Sequence, residues 1–158
     1  MSVVEAVAVG RRGARGIVID DEGRLVLIKR TKPGQEPYWT SPGGGVEDSD
    51  ATVEDALRRE LAEELGATAD GYQQVFLSSD PTDSGVAIQY FFVARLTSLN
   101  LTERYGPEFS KPARGGYDLD YVPLRDDSLG AIDLKPAVLK EFVLANRDAL
   151  LAEAGFRA

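Results

Sequence analysis

Short aliphatic runs alternate with turn-forming clusters along the first part of the chain. "GIVI" and "RLVLI" flank "DDEG" between Ala14 and Arg30, which predicts a β-hairpin. "TKPGQEPYW" predicts a loop ending in two aromatics, and "SPGGGVE" predicts irregular structure, since three glycines follow a proline. The spacing then becomes helical. In "DSDATVEDALRRELAEELG", Val53, Leu57, Leu61 and Leu65 share one face; Asp48, Ser49 or Asp50 is placed to cap the start, and Gly66 to stop the end. "GYQQVFLSS" and "GVAIQYFFVARLT" read as strands parted by the turn-rich "DPTDSG". "LTERYGPEFSKPARGG" is a long irregular polar segment of the kind often tied to function, and "YDLDYVPL" alternates as a short strand. "LKPAVLKEFVLANRDALLAEAG" predicts one closing amphipathic helix, with Val138, Leu139, Phe142, Val143 and Leu150 as apolar positions. Strands broken by a central helix and closed by another predict a mixed α/β sandwich, and 158 residues suit one domain, 1–158.

The central helix holds a charge pattern that a purely structural role does not require. Glu60, Glu63 and Glu64 follow the i, i+3, i+4 rule and form a stripe beside the apolar one. That places them along the edge where the helix meets the sheet, where unbalanced like charges are costly. A divalent cation is the simplest compensation, and magnesium takes oxygen ligands from a few carboxylates and substrate phosphates. Arg59 offers partial compensation, with Asp55 and Glu63 each four residues away. Most acidic runs on helices are solvated surface, so the glycine run directly before this helix matters. It lets backbone approach a ligand closely.

Composition narrows the chemistry further. The chain has no cysteine and no histidine, which excludes thiolate nucleophiles, cysteine zinc sites and every histidine base. If the chain performs hydrolytic chemistry, carboxylates must carry it, with a hard metal ion. A net charge of −8 argues against extended nucleic acid as a partner but not against a small phosphorylated ligand. Neither a secretory leader nor a membrane-spanning apolar run is predicted, so a cytoplasmic protein without membrane association is expected.

"GGGVEDSDATVEDALRRELAEELGA" resembles the signature of the Nudix hydrolases, the MutT-like pyrophosphohydrolases. Their pattern is a glycine, five residues, a glutamate, seven residues, then Arg-Glu-aliphatic-any-Glu-Glu-any-Gly-aliphatic. Arg59, Glu60, Leu61, Glu63, Glu64 and Gly66 fall in place. The first half departs: Gly44 takes the glycine position and Asp50 the first glutamate, but eight residues then precede Arg59. A one-residue insertion in the loop or at the helix start accounts for this, with Asp50 as cap or salt-bridge partner.

The resemblance implies a Nudix-type α/β/α sandwich with a mixed curved sheet between helices. It implies hydrolysis of a pyrophosphate bond in a nucleoside diphosphate linked to another moiety: a nucleoside triphosphate, a nucleotide sugar or a dinucleoside polyphosphate. Mg2+ or Mn2+ would be held by Glu60, Glu63, Glu64 and the Gly44 carbonyl, with Glu63 or Glu64 catalytic and Arg59 orienting them. A later acid often joins this set, here Glu108 first and Asp118 or Asp120 second. The alternative is a Nudix-like module that senses a nucleotide without cleaving it. The expected partner is a small nucleotide, and the expected state a monomer or homodimer. For substrate contacts, Tyr38 and Trp39 can stack a base or serve as core aromatics, while Arg30, with Lys29 and Lys32, can meet phosphates or stay in solvent.

Overall fold

The computed structural model describes residues 8–103 and 115–156. Its elements run β1 (Val9–Ile19), β2 (Arg24–Thr31), β3 (Tyr38–Thr40), β4 (Gly43–Gly45), α1 (Val53–Leu65), β5 (Ala67–Thr82), β6 (Gly85–Leu99), β7 (Gly116–Pro123), β8 (Leu134–Lys135), α2 (Ala137–Ala145) and α3 (Arg147–Glu153). The strands form one mixed sheet in the order β5-β6-β1-β2-β3-β8, with β4 pairing β1 and β7 pairing β2. The β1·β6 and β3·β8 pairs are parallel and the others antiparallel.

Alternation along the strands splits the core between the two sheet faces. Val18, Val26, Ile28 and Phe92 pack with Leu57, Leu61 and Leu65 of α1. Ile17, Ile19, Leu27 and Phe91 pack with Leu139 and Val143 of α2 and Leu150 and Leu151 of α3. The chain is therefore the helix–sheet–helix sandwich expected. The β1–β2 hairpin also stands as expected. Asp20 fixes its turn, accepting from the backbone N–H of Glu22 and Arg24 at 3.0 and 2.9 Å.

Four local expectations are corrected. The α1 cap is Thr52, whose side chain accepts from Asp55 N–H at 3.0 Å, not Asp48, Ser49 or Asp50. The triple glycine is a short strand, because residues without Cβ let β4 lie close against β1 (Gly13↔Gly45, Ala14↔Gly44, Arg15↔Gly43). Much of "DPTDSG" continues β5, and only Asp83 and Ser84 turn the chain. The closing helix is two helices. At Asn146 the backbone leaves the helical region (φ −125°, ψ 24°), and its Nδ2 donates to Phe142 O at 2.8 Å.

Candidate active site

Helix α1 sets three glutamates at the edge of its buried face, and Gly66 ends it in the left-handed conformation (φ 57°). Arg59 is the hub of this edge. Its Nε and Nη2 meet the two Asp50 oxygens at 3.1 and 2.9 Å. Its Nη1 donates to Glu60 at 2.9 Å and Glu63 at 3.3 Å, and Nη2 also donates to Gly45 O at 2.9 Å. Glu47 lies 3.6 Å from the same guanidinium. The expected Asp55 partner is not used; Arg59 turns to Asp50 instead.

These contacts shift both partners. The bonds from Arg59 first, then from Glu47 N–H, hold the Asp50 carboxyl below the usual carboxylate range. The Asp50 bond likewise raises Arg59 well above its ordinary value, ahead of smaller contributions from Glu60 and Glu63. The fork–fork Arg–carboxylate geometry is the strong form of this pair.

The glycine strand meets the glutamates from the other side. Ala14 packs with α1, so its partner Gly44 faces the same way. A Cβ on Gly44 would lie 2.6 Å from both Glu60 carboxylate oxygens. Glu64, 7% exposed, accepts from Gly43 N–H at 2.6 Å. Gly44, Glu60, Glu63, Glu64 and Arg59 thus line one edge between α1 and β4, and among the described residues no three acids group closely enough there to hold a metal ion. The α1 helix runs unbroken from its Thr52 cap through Arg59, so the extra residue before Arg59 does not interrupt the helix.

The later acids stand differently. Glu108 lies outside the described residues. Asp118 pairs with Lys29 and Asp120 with Leu27, a residue of the α2/α3 core, so both project from the sheet face opposite α1. Asp120 accepts instead from Trp39 Nε1 at 2.8 Å. The structure does not bring either to the glutamates.

The substrate candidates also part. Directly paired residues share a face, so Arg30, Tyr38 and Tyr117 lie together on the α1 side. The Arg30 guanidinium sits 3.5 Å from the Tyr117 ring centre and 6.0 Å from that of Tyr38. Trp39 is on the other face, packed against the α2/α3 core.

On that second face a cavity of about 500 Å³ is lined by Arg15, Ser41, Gln89, Phe91, Asp133 and Lys135, among others. Arg15 escaped the sequence reading. The signal was its phase, since it shares the inward parity of Ile17 and Ile19 on β1, where a charge is unusual.

With this geometry in view, the comparisons agree. The NUDIX domain family model matches residues 10–125. An 8-oxo-dGTP diphosphatase of Proteus vulgaris is 33% identical over 97 residues, covering 59% of this chain and 83% of that protein. The crystal structure of a MutT NUDIX hydrolase from Burkholderia pseudomallei superposes with a TM-score of 0.54 at 25% identity, over 73% of this chain and 84% of that one. The solution structure of the E. coli ORF135 protein shares the fold, with a TM-score of 0.61 at 24% identity over 88% and 91% of the two chains. The chain belongs to the NUDIX family and is a Nudix pyrophosphohydrolase.

Proposed function

We propose that the enzyme uses Mg2+ or Mn2+ at Glu60, Glu63, Glu64 and the Gly44 carbonyl to hydrolyse a nucleoside triphosphate, as a single Nudix unit in the cytoplasm. The observation that carries this reading is the Arg59 hub, which ties Asp50, Glu60 and Glu63 to the glycine strand while Gly43 N–H holds Glu64. The donor set fits a hard divalent ion, being carboxylate and carbonyl oxygen throughout. No three acids among the described residues are grouped closely enough to hold a metal ion as they stand: Glu60 and Glu63 are turned to Arg59, and Glu64 to Gly43 N–H. The Arg59 and Gly43 bonds do not exhaust the site, because an ionised carboxylate offers about four lone-pair positions. Glu60 and Glu63 can share oxygens between Arg59 and an ion.

A bound ion would neutralise the pyrophosphate and lower the pKa of a coordinated water. The chain's own residues do the rest. Arg59 sets the rotamers of Glu60 and Glu63. Glu64 is fixed by Gly43 N–H, whereas the Glu63 side chain is 23% exposed. This favours Glu63 as the carboxylate that takes the water proton. Gly44, lacking Cβ, leaves the space that Glu60 occupies.

The triphosphate assignment rests on the 8-oxo-dGTP diphosphatase relative. The first test is metal binding. Mn2+ titrated into the protein under electron paramagnetic resonance is expected to show a saturable site that Glu60→Gln or Glu64→Gln weakens by tenfold or more. Unchanged binding in both variants would remove the metal reading.

A further inference from the structure

Arg15 is a half-buried cation in unusual company. It stands directly opposite Gly43 in the β1·β4 pair and lines the cavity on the α2 side of the sheet. Its hydrogen-bond partners are all neutral: Gln89 Oε1 at 3.4 Å, Ser41 O at 3.2 Å and Gly43 O at 3.3 Å. Among the described residues no carboxylate is within ion-pair distance of it. The other charged residues of the cavity, Asp80, Asp133 and Lys135, are exposed, so they are well solvated and Arg15 is not.

What steadies this charge is the field of the active-site glutamates. Burial is the largest influence and pulls the Arg15 pKa down; Glu64 and Glu60, in that order, push it back up. The link is short. Gly43 accepts from Arg15 through its carbonyl and donates to Glu64 through its N–H. A divalent cation held by the glutamates would offset that field, and an anion beside the guanidinium would restore the balance; the cavity next to it is large enough for a small ligand.

We propose that Arg15 is a substrate-binding residue whose guanidinium takes a phosphoryl oxygen of the nucleotide at the end of the cavity next to Gly43, once the glutamates hold their ion. This rests on the metal reading above. A bond from guanidinium to phosphate is charge-assisted, and a forked donor suits phosphate geometry.

The test uses the full chain and two separate probes. The first is Mg2+ with imidodiphosphate, a pyrophosphate analogue that resists cleavage, titrated by calorimetry. The second is Mn2+ alone, titrated by paramagnetic resonance. Arg15→Gln is expected to weaken imidodiphosphate by about tenfold or more. The same change is expected to leave Mn2+ affinity equal or tighter, because it removes a positive charge near Glu64 and Glu60. Arg15→Lys keeps the charge and loses the fork, so a loss of about threefold or more in imidodiphosphate affinity is expected. It decides the matter if Arg15→Gln does not fold. Unchanged imidodiphosphate binding overturns the proposal. So does a parallel loss of both probes, which would make Arg15 a clamp on the glycine strand. If the unaltered protein binds imidodiphosphate but shows no saturable Mn2+ site, the metal reading fails separately. If it binds neither probe, both fall.

Discussion

At the scale of single residues, Arg59 decides how three glutamates coexist. Its guanidinium serves Asp50, Glu60, Glu63 and Gly45 O at once, a task that needs several donors in a fixed plane. Arg59→Lys is therefore expected to raise the Mg2+ concentration for half-maximal hydrolysis about 10- to 100-fold, read from metal titrations of the rate. Asp50 gives a pH signature. Its folded pKa lies below the unfolded value of about 3.9, so its contribution to stability is complete above that value. It is lost as pH falls further, through the depressed folded value. Asp50→Asn should lower the melting temperature at pH 6, and the gap should close as the pH is taken below about 4. A gap that persists undiminished at low pH would show that the Asp50 charge is not what stabilises. This residue was half legible beforehand. The sequence offered cap or salt-bridge partner, and the bidentate bond to Arg59 selects the second. Spacing alone did not choose, because the loop bend that brings Asp50 to Arg59 leaves no periodic trace.

At the scale of elements, helix α1 is where sequence and structure agree best. Helical spacing of leucines and a left-handed glycine stop are strong local signals. Its cap moved to Thr52 because Asp50 is engaged elsewhere, a tertiary contact that overrides local preference. Thr52→Ala is expected to cost about 1 kcal/mol in urea unfolding with an unchanged m-value. The C-terminal stop is more demanding. A Cβ on Gly66 would collide with Asn100 O at a positive φ. Gly66→Ala should thus cost more than about 1 kcal/mol by the same measurement. The glycine strand was less legible. Three glycines have no β propensity, and β4 exists because β1 presents a backbone for them to pair with. The break at Asn146 was hidden for a related reason: apolar positions on both sides keep helical spacing while α2 and α3 each turn their own residues to the core.

At the scale of the whole molecule, the sheet separates two kinds of chemistry. The α1 face holds the glutamates, and the α2 face holds the cavity, with β1 and β4 between them. Face assignment depends on register, and a one-residue change of parity reverses it. That is why Asp118, Asp120 and Trp39, reasonable candidates by sequence, stand on the side away from the glutamates. The same register brings Arg15 to the cavity and Gly44 to Glu60. A specifically bound ion should stabilise this whole assembly. Mg2+ at a fixed concentration is expected to raise the melting temperature of the unaltered protein by clearly more than that of Glu64→Gln, since the shift grows with affinity for the folded state.

The most direct test of the central claim is product analysis. Nucleoside triphosphates, including the 8-oxo form of dGTP, would be incubated with Mg2+ and either the unaltered protein or a Glu64→Gln variant shown to be folded. The carboxylate site described above predicts nucleotide cleaved at a pyrophosphate bond by the unaltered protein, and a loss of at least 100-fold in the variant. Cleavage that continues undiminished in Glu64→Gln, or no cleavage of any triphosphate by the unaltered protein, would contradict it.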